Sequence, residues 1–489
     1  VTGLVLACYA VLLTVAAVVV WRRPKAALYL FIVGLALHNL VMALLYDAGL
    51  HGTSLDVVQA WKEALLAVVV VRVAIDAIRA RRLPFSPFVV DWLALAFAAA
   101  VCLYAVIPQS VLDGAAGPKA ILYGLRHALV PVVAYFLGRS LALTRDDLRR
   151  LGWTVLGAAA AVAAGGIIDL YTVDVEWWRS SGAVGYFRRE LGFDYHGPGG
   201  LPDNFAFNTR DGLFRRLVSS FISPLATAFM LVVALLVASV AWQSRRLLTT
   251  ALAALCAVAL LFTLSRSSLV AFAGGLVVLA VASRRAWPVA AAVLVLATGV
   301  GYAFAFTSLA PETHFFPSDL PYQEQQARAH GGLPKGGSLA LNPGEPSLRS
   351  HWRNLRDGIR TVVHHPQGYG LGNAGATAAR FGVPLRAGES NYTETGVEAG
   401  VAGALLFVAW SLALLVALVR SAWTAGDATL RWAAAGIAAS LASILALGIQ
   451  TDAYGVPWLA YVLWWLAGSL VIPSVRFSPW HRSSTPGST

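Results

Sequence analysis

Apolar runs of about twenty residues alternate with polar connections along this chain, and thirteen of them have membrane-spanning length. They fall near 3–20, 26–46, 57–78, 88–107, 119–138, 151–170, 217–242, 249–265, 268–283, 287–307, 396–418, 431–449 and 456–473. A helix needs roughly 20 apolar residues to cross about 30 Å of hydrocarbon, so each run reads as a transmembrane helix. A membrane β-barrel would show short strands of alternating polarity instead, and none are visible. The pattern predicts an all-α, polytopic integral membrane protein with about 12–13 transmembrane helices. Composition agrees: 58% of residues are hydrophobic, 13% are charged and mean hydropathy is +0.66, which excludes an ordinary soluble domain.

Charge then orients the spans. Basic clusters at 22–25, 79–82, 139–150, 245–246, 284–285, 420–431 and 476–482 occupy every second connection. By the positive-inside rule those connections are cytoplasmic, with the N-terminus outside and the C-terminus inside. The first span is not read as a cleavable signal, because its charges follow the apolar run. The two long connections, about 171–215 and 311–393, both fall outside, and loops that long are usually functional or disordered. The chain divides into N-terminal helices (1–170), an outer loop (171–215), central helices (216–308), a large outer loop (309–393), C-terminal helices (394–475) and a cytoplasmic tail (476–489).

Only four of the 37 basic residues are lysine, and the basic residues are dispersed between spans without an interleaved aromatic stripe. Nucleic acid is therefore not expected as a partner, whereas membrane lipid is. Cys8, Cys102 and Cys256 lie inside apolar runs and read as small core residues, not as a disulfide framework or metal site. The first outer loop is rich in aromatics, among them Trp177, Trp178, Tyr186, Phe187, Phe205 and Phe207. Such rings suit sugar stacking and interfacial belts alike, and both readings stand.

Arginines on the outer side need a reason other than topology. Arg215 and Arg216 open the seventh span, Arg266 sits in the turn LFTLSRSSLV, and Arg126 lies about two turns inside the fifth span. An arginine in the apolar zone costs on the order of 3 kcal/mol, so it pairs or lines a cavity. Acidic partners look scarce within the spans, which turns the expectation toward an anionic ligand; a guanidinium suits a diphosphate through its planar donor fork. The alternative is structural pairing with Asp203, Asp211 or other loop carboxylates.

The large loop adds a second basic element. From Ser347 a helix is predicted, with Trp352, Leu355, Ile359 and Val362 on one face and Pro366 ending it. Arg349, Arg353, Arg356 and Arg360 form a neighbouring stripe, which would equally suit a surface helix on anionic lipid. Glycines 368, 370 and 372 read as a turn in preference to a phosphate cradle.

Together these segments resemble the O-antigen polymerase and ligase superfamily, the Wzy-type and WaaL-type membrane glycosyltransferases. RLVSSFISP from Arg216 to Pro224 resembles the family's Arg-x-x-Gly-Thr-Phe-x-Asn-Pro, with Ser219 and Ser223 replacing Gly and Asn. LSRSS around Arg266 resembles its Ser-Arg-Gly turn, and WRNLRDGIRTVVHHPQGYGLG its Trp-x-x-Ala-Leu...His-Pro-Leu-x-Gly-x-Gly segment. ESNYTETGVEAGVAG resembles His-Asn-x-x-Leu...Glu-x-Gly-x-x-Gly. Four such pieces in order, with spans between them, are more specific than any one. The match covers roughly Arg216 to the twelfth span.

The resemblance implies a GT-C-like fold and transfer of a glycan from undecaprenyl diphosphate to a hydroxyl of a glycan or glycolipid, with inversion and without metal or other cofactor. It implies the outer face of a bacterial cytoplasmic membrane, with a chain-length regulator or flippase as protein partner. Arg216 and Arg266 would hold the diphosphate, helped by Arg215, Arg126, Arg349 and Arg353. His351, Asn391, Tyr392 and Glu394 would line the substrate site. No Asp-x-Asp pair occurs in the outer loops, in keeping with a metal-free mechanism. Ligases place His before the Asn of the last motif, and here Ser390 stands there, which favours a polymerase and means the base is either unnecessary or moved, with Glu389 the nearest candidate and Glu394, His351 and Glu398 behind it. Glu398, in the family's Glu-x-Gly position, has capping or orienting the helix entry as its other reading. Two rivals remain: a secondary transporter or flippase, for which no internal symmetry is visible, and a non-catalytic scaffold of an envelope complex.

Overall fold

The computed structural model describes residues 2–209, 212–329 and 346–471. Asp211, the 476–489 tail and its basic cluster, and residues 330–345 of the large loop lie outside them.

The chain is mostly helical, and ten helices among the described residues are long and apolar enough to cross a membrane. This is the architecture of a multi-pass membrane protein. The other three expected spans are helical but fall short. Trp61–Ala80 carries Lys62, Glu63, Arg72, Asp76 and Arg79, Arg246–Phe262 has 17 residues, and Leu459–Leu470 opens with a π turn before Trp464–Leu470. At about 1.5 Å per residue, 12 residues reach only about 18 Å.

Two helices form the centre. Pro224–Trp242 and Ala428–Leu447 are 78% and 72% buried over their apolar stretches, against 6% for Thr2–Arg22 and 17% for Trp287–Leu309, which ring the outside. Small residues allow this packing, since apolar lipid gives helices no hydrophobic reason to associate. Ser443 donates across to the Ala271 carbonyl at 2.8 Å, tying Ala428–Leu447 to Arg266–Ser283. Gly138 and Gly468 face each other so closely that an added Cβ on either would collide with the opposite backbone. Cys256 is buried as expected, but Cys8 and Cys102 are exposed on helix surfaces turned away from the core.

The two ends of the bundle differ. At one end the short connections join through ion pairs: Lys25 with Asp147 at 2.7 Å, Arg139 with Asp91 at 3.0 Å and Arg145 with Asp427 at 3.4 Å. This end carries the basic clusters. At the other end the two long loops fold together. Strands Ala206–Asn208 and Leu213–Arg215 pair antiparallel, and Glu312–Thr313 of the second loop adds a third strand. His196 stacks on Tyr322 with centroids 3.8 Å apart, and Asp319 accepts from the Gly199 amide at 2.7 Å. The aromatics of the first loop mostly serve neither reading open to them from sequence. Trp178, Tyr186, Phe187 and Phe205 are buried with Leu50 and Leu55 in a core of their own, while Trp177 and Tyr171 stay exposed.

One predicted boundary moves. The seventh span begins at Pro224, not near 217, because Ser223 caps the helix and Pro224 takes its first position. Residues 216–223 instead form an irregular strap in which Ser219 and Ile222 adopt left-handed φ values of 50° and 53°.

Candidate active site

The strap places the two motif arginines at one turn. Arg216 is buried; its Nε donates to the Thr263 carbonyl at 2.8 Å, its Nη2 to that of Leu264 at 3.4 Å, and its amide to Phe205 at 3.0 Å. The neighbouring Leu217 amide donates to the Phe262 carbonyl at 2.9 Å. Two residues after Leu264, Arg266 begins the helix Arg266–Ser283, with its guanidinium 5.6 Å from the centre of the Phe207 ring. Among the described residues no side chain caps this helix, and the Ser265 hydroxyl is engaged with Ser268 at 2.6 Å instead. Two guanidinium groups and an uncapped helix N-terminus concentrate positive charge and N–H donors on one corner, the electrostatics an anion needs.

Arg215 and Arg126 have acidic neighbours, so the scarcity of acids within the helices is corrected by Glu63, Asp91 and Asp169. Arg215 is buried against Asp169 at 3.3 Å, donates to the Val173 carbonyl and lies over Phe205. Burial pulls its pKa down, and Asp169 opposes that shift. Arg126 meets Glu63 at 2.9 Å and the Tyr123 ring at 5.4 Å, and Arg380 covers the same ring at 4.5 Å. Arg349 and Arg353 are exposed on the loop helix Pro346–His364, whose predicted extent holds. Its inner side is Gly358, against Thr393, and Val362, against Gly396, while Trp352 and Ile359 remain exposed.

The segment before the Asn391–Thr424 helix forms a second chemical neighbourhood. Ser390 is buried, its hydroxyl donates to the Gly448 carbonyl at 3.3 Å, and the Asn391 amide donates to the same oxygen at 2.9 Å. Glu389, at a φ of 68°, turns outward and meets His351 Nδ1 at 2.6 Å. Burial would raise the Glu389 pKa, but the contact with His351, the charge of that imidazole and Asn354 together outweigh it and hold the carboxyl below its ordinary range. Tyr392 donates to the Leu445 carbonyl at 2.8 Å, and Asn391 donates to Asp452 at 2.6 Å.

Both neighbourhoods lie at one level of the bundle. Arg266 is five residues outward of Ala271 and Gly448 is five outward of Ser443, on antiparallel helices joined by the Ser443–Ala271 bond. Equal rises bring the Arg266 turn and the Ser390–Asn391 segment to similar heights beside Ala428–Leu447.

Behind Asn391 the helix is broken. Ala399 and Gly400 leave helical geometry, with Gly400 at φ 68°, and the large loop fills the break: Val401 donates to the Pro366 carbonyl at 2.9 Å and Tyr369 to that of Val397 at 2.6 Å. The glycines at 368, 370 and 372 all take positive φ in this turn. Glu398 accepts from the Gly372 amide at 2.8 Å and so fastens the loop; it does not cap the helix. A cavity of about 40 Å³ opens beneath, lined by His127, Asn391, Glu394, Glu398 and Asp452. Sequence reasoning passed over His127 and Asp452. An ionisable residue inside an apolar run was the available signal for His127; Asp452, in the connection after Ala428–Leu447, offers none. Comparison with protein-family models gives no match, and comparison with curated protein sequences gives none either.

Proposed function

We propose that this protein is a membrane glycosyltransferase of GT-C-like architecture that moves a glycan from undecaprenyl diphosphate to an acceptor sugar hydroxyl at the outer face of a bacterial cytoplasmic membrane. The observation that carries this reading is the tie between Arg216 and the Thr263–Leu264 carbonyls, which brings a second guanidinium to the turn that leads into Arg266. In the transfer the acceptor oxygen bonds to the anomeric carbon from the face opposite the diphosphate, and the bond from that carbon to the diphosphate oxygen breaks. Negative charge grows on the departing diphosphate, where preorganised cations and helix N–H groups lower the barrier.

The acceptor proton goes to the His351–Glu389 pair. With the Glu389 carboxylate 2.6 Å from Nδ1, the imidazole takes the proton at Nε2, and the carboxylate stabilises the imidazolium that forms. Glu389 thereby orients and charges the base. Polymerisation is favoured over ligation because Ser390, at the position where ligases carry His, is buried and bonded to Gly448. A flippase and a chain-length regulator are its expected partners. The deciding experiment supplies a polyprenyl-diphosphate oligosaccharide to the purified protein in lipid and follows product length: growing ladders support polymerisation, and lipid-linked oligosaccharide unchanged over many hours refutes it.

A further inference from the structure

The cavity under the broken helix holds a donor set that the transfer scheme does not use. His127 comes from the helix Pro118–Ser140, Glu394 from the start of Asn391–Thr424, and Asp452 from the connection after Ala428–Leu447. One ligand atom from each lies within 4.8 Å of the others. Three remote segments thus converge on one point.

Glu394 points to an occupant. The residue is only 8% exposed, it lines the cavity, and among the described residues its Oε1 has no hydrogen-bond donor. A buried carboxylate oxygen without a donor is costly, so it calls for a positive group in the space it faces. Glu398 and Asp452 add negative charge around the same cavity. Asp452 is already oriented, because its Oδ1 accepts from Asn391 Nδ2 at 2.6 Å and from the Gly455 amide at 2.8 Å. Such outer bonds are how metal-binding carboxylates are commonly held. Pro131, within the same helix as His127, has no N–H to give the His127 carbonyl, which adds a backbone acceptor to this region.

We propose that His127, Glu394 and Asp452 bind one divalent transition-metal cation of the Zn²⁺ or Mn²⁺ type. An imidazole nitrogen with two carboxylates and no thiolate suits these ions better than Mg²⁺ or Ca²⁺, which prefer oxygen alone. Metal–ligand bonds of about 2.0–2.2 Å put neighbouring donors about 3–3.6 Å apart, so a pair at the 4.8 Å limit closes by about 1 Å, within reach of side-chain rotation. A volume of about 40 Å³ admits the ion with a water or two. The ion ties the 391–398 segment, which precedes the break at Ala399 and Gly400, to the Pro118–Ser140 helix and to the connection that carries Asp452. It takes no part in the transfer step, so this site stands or falls apart from that reading.

The test uses the full chain in detergent, stripped with a chelator and dialysed, then titrated with Zn²⁺ or Mn²⁺ alone by calorimetry with elemental analysis of the product. One ion per chain at micromolar or tighter affinity, with a rise in unfolding temperature, is expected. Glu394→Gln and Asp452→Asn should each weaken binding by about 10- to 100-fold. His127→Gln provides the fold control, since this side chain is 30% exposed and its replacement needs no repacking. It should keep the elution profile and cooperative unfolding while losing affinity to the same degree. Millimolar or weaker binding by the parent protein, or affinity unchanged in His127→Gln and Glu394→Gln, overturns the proposal.

Discussion

Arg216 donates through Nε to the Thr263 carbonyl at 2.8 Å, so a side chain at the end of one long loop fixes the backbone of a turn 47 positions away. That bond gives the two motif arginines unequal duties. Arg216 holds the turn as well as carrying charge, whereas Arg266, only partly buried and lying over Phe207, carries charge with less structural burden.

Arg266→Ala should therefore remove nearly all transfer while leaving expression and insertion intact. Arg266→Lys should rescue only part, because an ammonium lacks the bidentate fork. Arg216→Ala should also abolish transfer but lower the unfolding temperature as well. Product ladders and thermal unfolding in detergent report the two effects separately, and near-normal ladders from both Ala variants would remove the diphosphate clamp.

The His351–Glu389 pair should behave as one unit. His351→Gln should slow transfer by about 10²- to 10⁴-fold with donor affinity unchanged, and Glu389→Gln should slow it less, since it removes the counter-charge but leaves the imidazole. Adding the second substitution to the first should cost little more. Rates from single-turnover reactions decide this, and independent, multiplying effects would mean the residues act apart.

Acidification gives a separate reading of the same contact. Because Glu389 has a folded-state pKa below its unfolded value, its bond to His351 adds stability above the ordinary carboxylate range, lost as pH falls through the depressed value. The contribution is no more than about 1 kcal/mol, since the Glu389 side chain is 46% exposed and screened by solvent. The gap in unfolding temperature between the parent protein and Glu389→Gln should close as pH drops from 6 to about 3. A gap that widens in acid would contradict the pairing.

Packing and topology are open to simpler tests. Gly468→Val should cause severe loss of folded protein, since any Cβ there meets the backbone of Tyr135, whereas Gly157→Ala, with open space at that position, should be silent. Thermal unfolding and the monodisperse fraction measure this. In a background lacking Cys8 and Cys102, impermeant thiol reagents should reach single cysteines placed at 175–210 and 315–390 in intact cells but not at 141–150. Labelling of 141–150 alone would reverse the orientation and place the candidate site on the other face.

Helix positions were legible in the chain because twenty-residue apolar runs have few alternatives in a membrane. The loop helix Pro346–His364 was legible too, from the spacing of Trp352, Leu355 and Ile359 and the stop at Pro366. Partnerships were not. Asp169 and Glu63 look like ordinary residues of apolar or helical stretches until tertiary packing sets them against Arg215 and Arg126. The convergence of His127, Glu394 and Asp452 spans more than 300 positions, and no local pattern records it. Hydropathy also misreads places where local chemistry outranks it: Ser223 and Pro224 start a helix inside an apolar run, and Gly400 breaks one.

That break has a consequence for depth. An unbroken helix from Asn391 to Thr424 would have 34 residues and reach about 50 Å, far more than the roughly 30 Å of hydrocarbon. The 24 residues from Val401 onward suffice, at about 36 Å, to cross with modest tilt. The eight before Ala399 are thus freed from the lipid slab and belong to the water-facing layer. A polar head group and the lipid tail behind it would meet the protein on opposite sides of a single helix discontinuity.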